Sequence, residues 1–260
     1  MKRFFNDLRR YGKYAKYSAK SELKSEVANS YLNWLWWILD PLCFMLIYTF
    51  IFGVVFNASE PNFPIFIFIG LSMWDFFNRC ITNSIKMVKN NKAIVSKVYL
   101  PKYILIIVKM YVNAFKMLIS FGIVVGMMVI WRVVPNLNVF YVIPILIDFF
   151  VITFGCMAIL LHFGVFVEDL SNVVHIGLRL LFYITGIFYR VSTRVPAPFG
   201  EILEKYNPIA FLLSAMRDAL LYGKAVSWQW LLIWFVFGIL LSVIGVATIY
   251  KNENSYVKVI

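Results

Sequence analysis

The chain has 260 residues, 62% hydrophobic, 18% aromatic and only 15% charged, with a net charge of +12. A soluble globular domain averages about 45–50% apolar and about 25% charged residues, so this composition excludes one and implies a polytopic membrane protein. In such a chain the positive excess reads first as orientation and contact with anionic lipid headgroups, ahead of nucleic acid, which is not expected as a partner.

Residues 1–33 come first. Phe4, Leu8, Tyr11, Tyr14 or Ala15, Leu23, Val27 and Tyr31 recur at three- and four-residue steps with basic residues between them. That periodicity predicts an amphipathic helix lying in the cytoplasmic interface, its aromatic face among the headgroups. The alternative is a poorly ordered basic tail. A secretory signal is not expected, because the first apolar run begins only near Trp34 and lacks a small-residue cleavage site.

A helix needs about 20 apolar residues to cross the hydrocarbon. Six stretches qualify, at about 35–56, 63–85, 103–131, 139–167, 173–189 and 228–250, within a transmembrane region of residues 34–250. The fifth is short and carries His175 and Arg179. Lysine and arginine crowd the segment before span one, whereas the following loop, "NASEPN", has none. The connection after span two is basic again, so both termini, including the tail 251–260, are expected in the cytoplasm.

That connection, "MVKNNKAIVSKVYLPKYIL" (87–105), sets Lys89, Lys92, Lys97 and Lys102 around Ala93, Ile94, Val95 and Val98, and Pro101 closes it. It reads as a short basic helix. After span five, "PFGEILEKYNPIAFLLSAMRDALLYG" reads as two short helices broken at Asn207-Pro208, with Arg217 in the second. Both are too short to span, so they are expected to be re-entrant or to lie on the outer surface.

Catalytic chemistry is missing. There is no G-x-x-x-x-G-K-[ST] phosphate loop, no H-E-x-x-H and no G-x-S-x-G. Glu168-Asp169 are adjacent and point apart, which suits a cap better than a catalytic pair. Cys43, Cys80 and Cys156 have no metal-ligand spacing and read as small buried hydrophobes, so no metal or cofactor is expected in this chain. An enzyme is not indicated.

Four stretches resemble the transmembrane subunits of ABC-2 type polysaccharide exporters, which move lipid-linked O-antigen, capsular polysaccharide or teichoic acid. They are "SELKSEVANSYLNWLWWILDPL" (21–42), "GLSMWDFFNRCITNSIKMVKNNKAIVSKVYLPKYIL" (70–105), "VEDLSNVVHIGLRLLFYITGIFY" (167–189) and "YNPIAFLLSAMRDALLYG" (206–223). The chain departs from the family pattern at Asn33, where a glycine is usual, and at Glu168, where an arginine commonly precedes the aspartate.

The resemblance implies a permease subunit in a bacterial plasma or inner membrane, working as a homodimer with two copies of a cytoplasmic ATP-binding subunit that holds ATP and magnesium. It implies that residues 87–105 form a coupling helix docked on that subunit. Asn91, Lys92, Ile94, Lys97 and Val98 are then the contact residues, with Ile94 and Val98 as apolar anchors and Lys92 and Lys97 reaching acidic groups. A loop that only fixed topology and bound anionic lipid would have no use for the anchors.

On span one, Trp34, Trp37, Pro41, Met45, Tyr48, Phe52 and Val55 follow one stripe. The resemblance implies an aromatic-lined channel at the dimer centre, which Trp37, Tyr48 and Phe52, with Tyr183 and Tyr189, would line. The alternative is interfacial belt and packing residues. The charges inside spans are Asp40, Asp75, Arg79, Lys109, Lys116, Asp148 and Arg179, each costing about 2.5–3.5 kcal/mol near a helix centre. Asp75 and Arg79 are placed to pair locally, and Lys116 and Asp148 to pair or to line a wet path. Such groups would serve a proton-coupled secondary transporter, the alternative reading beside an ABC-2 exporter of another substrate. A membrane-embedded glycosyl- or acyltransferase is a third reading, without an acid–base constellation to support it.

Overall fold

The computed structural model describes residues 2–28, 31–57 and 60–259, and among these there is no strand. Helix α1 (Lys2–Val27) packs along the third long helix. Its contact face is the periodic one: Ala15 and Ala19 are buried, and Phe4, Leu8, Tyr11, Tyr14 and Leu23 are partly covered. Two alanines a turn apart let the backbones approach closely. Asn29, Ser30 and the Asn33 side chain, where this helix joins span one, lie outside the described residues, as do Ala58 and Ser59 of the "NASEPN" loop.

Helix α2 (Trp36–Tyr48) tolerates Pro41 and passes directly into a π-helical stretch, Thr49–Val55. It is the least covered long helix; only Met45 is buried along it. Helix α3 (Phe63–Ile85) starts with Pro64 in its first turn, where a missing N–H costs nothing. It is the centre of the bundle, packed against α2 and five later helices, and Ile65 to Gly70 are buried without interruption. Two short helices, α4 (Met87–Asn90) and α5 (Lys92–Val95), follow, and then α6 (Lys102–Ile130) begins after Pro101. Helix α7 (Val142–Phe166), entered through a 3-10 turn at Leu137–Tyr141, runs back.

Helix α8 (Leu170–Ile184) has 15 residues, about 22 Å at 1.5 Å per residue. The chain then turns through Gly186 at φ +73° and forms α9 (Val191–Arg194), α10 (Phe199–Tyr206) and α11 (Pro208–Arg217), the last running into a π-helical turn, Asp218–Tyr222. Helix α12 (Trp228–Lys251) lies along α7, and α13 (Glu253–Val259) follows. Glycines make the α7–α12 contact close: a Cβ on Gly155 would meet Leu241, and one on Gly238 would meet Ile152.

Among the described residues five helices are long and apolar enough to cross a membrane, and they fall within two residues of the expected spans one to four and six. The fifth expected span differs. Its helix starts three residues earlier, stops at Ile184 and leaves Thr185 to Phe188 buried but not helical. Cys80 is buried as expected, but Cys43 sits on the open face of α2 and is exposed.

The two ends of the chain meet. Arg3 donates to Glu253 at 3.0 Å and also to the Tyr99 hydroxyl, which itself donates to Glu253 at 3.1 Å. Tyr103 donates to Asp7 at 2.6 Å and receives a bond from Tyr250 at 2.9 Å. Residues near both termini and the connection after α3 therefore share one end of the bundle.

Candidate functional site

Three places have a constructed geometry. The first is the connection after α3. Met87, Val88 and Val95 point inward and are buried, holding α4 and α5 against the bundle. Asn91 makes the corner between the two helices: its side-chain amide donates to the Met87 carbonyl at 2.8 Å. With the inner face so anchored, Ile94 is left 41% exposed, Val98 58% and Tyr99 56%. Lys92 and Lys97 are exposed on the same stub. Lys89 reaches Glu168 at 3.3 Å, tying the stub to the turn between α7 and α8. Lys92, Ile94, Lys97 and Val98 are thus exposed on one stub, and Asn91, the fifth residue expected at the contact, is part-buried at its corner.

A charged cleft between α1, α2, α3 and α6 is the second. It has a volume of about 360 Å³ and includes Trp36, Trp37, Asp40, Asp75, Arg79 and Lys116. A neighbouring hollow of about 320 Å³ shares Glu26, Arg79 and Lys116 and extends to His175 on α8. Arg79 donates to Asp75 at 2.8 Å, the local pair expected from their spacing, and also lies 3.8 Å from Asp40. Lys116 is held by Glu26 at 2.6 Å, and Lys109 by Glu22. The expected partner of Lys116 is therefore corrected: Asp148 is fully buried with neither oxygen hydrogen-bonded, and α1 supplies the acid instead. Burying a charge is tolerable only with a partner, and α1 brings two carboxylates to the two lysines of span three.

The aromatic stripe divides between two surroundings. Trp37 stays at the cleft, edge-on to Phe115 at 5.9 Å. Higher on the helix, Phe52 stacks on Phe188 at 4.4 Å, and Tyr48 packs on the same ring at 4.7 Å. Tyr183 is exposed, and Tyr189 is half-buried with its hydroxyl donating to the Tyr183 carbonyl at 2.8 Å. Within one chain these five rings do not form a single surface.

The third place lies under α11. Asn207 caps that helix, its side-chain oxygen accepting from the Ile209 and Ala210 N–H groups at 3.1 and 3.3 Å, and Pro208 fills the first turn. Arg217, at the other end, is buried. Its guanidinium donates to the Phe66, Gly186 and Ile187 carbonyls at 3.1, 2.8 and 2.8 Å and lies over the Phe66 ring at 3.6 Å. Gly70 makes the room, because a Cβ there would collide with the guanidinium. Beside it Arg190 pairs with Asp218, and Tyr222 donates to Glu60 at 3.1 Å. Sequence reasoning found Arg217 but not this use of it. A signal was available: an arginine in an apolar decapeptide has to find acceptors, and a chain break after a short span leaves carbonyls to be satisfied.

Residues 15–221 match the ABC-2 type transporter family. The chain is 29% identical over 240 residues to an O-antigen export system permease protein RfbA of Klebsiella pneumoniae, covering 92% of each. It is 27% identical over 202 residues to the O-antigen export system permease protein RfbA of Myxococcus xanthus, 75% of each. Similarity extends to the polysialic acid transport protein KpsM of Escherichia coli, at 20% identity over 242 residues, 90% of this chain and 91% of that protein.

Proposed function

The chain belongs to the ABC-2 type transporter family, and from that premise we propose that it is the permease subunit of an ATP-driven exporter of lipid-linked polysaccharide. The cargo is of the O-antigen, capsule or teichoic acid type and moves from the cytoplasmic to the outer side of a bacterial plasma or inner membrane. The subunit itself performs transport. ATP and magnesium belong to a separate cytoplasmic ATP-binding subunit, two copies of which serve a homodimer of this chain.

One observation carries the reading. The stub after α3 is anchored on its inner face and presents Ile94 and Val98 outward. A segment that only marked topology would not be braced by Lys89–Glu168 and by Tyr99–Glu253 while leaving apolar groups open. The pairing of Lys116 with Asp148 that a proton-coupled alternative could use is not formed, since Lys116 is bonded to Glu26. Reconstitution with the cognate ATPase in liposomes is expected to give export driven by ATP and unaffected by collapsing a pH gradient. Export that follows the gradient and ignores nucleotide would sink the assignment.

Six crossings fit this role. Contact between Arg3 and Glu253 supports an even number of passes, and beside the five long helices among the described residues, 168–190 is read as the sixth. Helix α8 covers part of it, and the buried residues Thr185 to Phe188 continue it without helical bonding. Irregular backbone at membrane depth is tolerated where protein surrounds it, and Arg217 supplies the missing donors. Segment 191–222 is then re-entrant from the outer side, and α1 lies at the cytoplasmic interface with its C-terminal end dipping toward Lys116.

The open faces of α2 and α8 are left for the second copy and the polymer. Trp37, Tyr48, Phe52, Tyr183 and Tyr189 line the path in this reading, offering ring faces to sugar C–H groups without selecting one sugar. Tyr48→Ala combined with Phe52→Ala is expected to slow polymer export severalfold at matched membrane abundance, leaving basal ATPase activity of the complex nearly intact. Unchanged export would return both rings to packing against Phe188.

A further inference from the structure

One hollow has no part in the transport reading. Helices α1, α6, α7 and α12 surround a trough of about 660 Å³, lined chiefly by apolar side chains, among them Phe5, Leu8, Met110, Phe150, Phe154 and Val243. On α6 it runs from Ile107 to Ala114, beginning about 7 Å along the helix and continuing for about 10 Å. That is the depth of the cytoplasmic leaflet's acyl chains. At 100° per residue, the trough residues Ile107, Met110, Tyr111 and Ala114 together centre about 150° from Lys116 and Ser120, so the trough and the charged cleft use different sides of α6.

Phe5 and Leu8 also border an open recess of about 510 Å³ with Asn6 and Arg9. The trough and the recess therefore share a wall. Arg9 begins a stripe on α1, continued by Lys13, Lys16 and Lys20 at four-, three- and four-residue steps, and all four are exposed. The ion pairs of α1 run through Arg3, Asp7, Glu22 and Glu26, and none engages the stripe among the described residues. Gly12 flanks the stripe. A glycine inside a helix is less stable than an alanine, and here no protein atom needs the space, since an added Cβ would meet nothing within 4 Å.

We propose that these two hollows seat one anionic diacyl phospholipid of the cytoplasmic leaflet. An acyl chain lies in the trough, and the phosphate sits against Arg9 and the lysines that follow it, with Gly12 allowing a close approach. A lipid tail gains no hydrophobic energy on moving from bilayer to trough, so the tail fixes the position and the headgroup supplies the selectivity.

The test is native mass spectrometry of the purified full chain, given phosphatidylglycerol and phosphatidylcholine in equal amounts. The wild type is expected to retain phosphatidylglycerol about fivefold over phosphatidylcholine or more, roughly fivefold being one basic headgroup contact's worth of selectivity at the membrane surface. The triple variant Arg9→Gln, Lys13→Gln, Lys16→Gln is expected to hold the two lipids equally, and Ala114→Trp, which fills the trough, to lose both. Equal retention by the wild type, or a triple variant that keeps the preference, overturns the proposal. So does displacement by a polyisoprenyl phosphate that Ala114→Trp abolishes, which would give the trough to an isoprenoid instead. Because the three substituted charges are exposed, their result reads whether or not Ala114→Trp folds.

Discussion

Ile94→Asp is expected to separate the permease from its ATPase. The side chain stands on an outward patch with Val98, while its neighbour Val95 holds the stub to the bundle, so the change alters the docking face and not its foundation. A carboxylate forced into an apolar groove is an uncompensated buried charge, costing about 3–5 kcal/mol. At about 1.4 kcal/mol per tenfold, that lowers association by roughly 100- to 1,000-fold or more. Lys92→Ala and Lys97→Ala should be milder and should depend on salt, because rim charges act mainly on association rate. The measurement is pull-down of the ATPase at matched membrane abundance, with substrate-stimulated ATP hydrolysis as the second readout. If Ile94→Asp retains both, the stub is a topology signal and coupling passes to α1 or to the Glu168 turn.

Arg217→Met is expected to destabilise the subunit before it affects transport. The methionine fills most of the volume but donates nothing, so the Gly186 and Ile187 carbonyls are left buried and unbonded. At about 1–3 kcal/mol for each orphaned group the loss is roughly 2–6 kcal/mol, a large part of the about 5–15 kcal/mol that holds a typical domain. Gly70→Ala reaches the same end from the other side, by pushing the guanidinium out of its seat. Arg217→Lys should recover only a part, because one ammonium cannot reproduce the planar fork. Thermal unfolding of the purified protein in detergent checks the series. A wild-type midpoint for Arg217→Met would mean that the clamp is dispensable and that the arginine is kept for another purpose.

The long helices were legible because length and hydropathy alone define them: α3 begins and ends where the expected span does. The stub was legible for a different reason. Its basic and apolar residues share one short segment, but the single short helix expected there is two helices of four residues cornered at Asn91, and Val98 lies beyond the second. Partners of the intramembrane charges were legible only where they lie on one helix, as with Asp75 and Arg79. Lys116 was matched with Asp148 because both sit at mid-depth, but depth says nothing about facing. Its actual partner, Glu26, comes from α1, which approaches α6 along two alanines that no pattern of spans would reveal. The fifth expected span stops short as a helix for a related reason: the donors to its Gly186 and Ile187 carbonyls come from Arg217, some 30 residues downstream.

The bond between Arg3 and Glu253 closes a loop of nearly the whole chain, and Tyr99 is its third member. During synthesis the residues of the stub emerge before the midpoint, but this brace cannot form until α12 has been inserted. Contacts of such high sequence separation form late, after the entropy of closing the loop has been met. A chain halted after α8 would carry every residue of the stub, with the glutamate that fixes Tyr99 still unmade. The order in which the ribosome delivers the helices thus withholds this brace from the stub of any chain whose α12 and Glu253 have not yet followed.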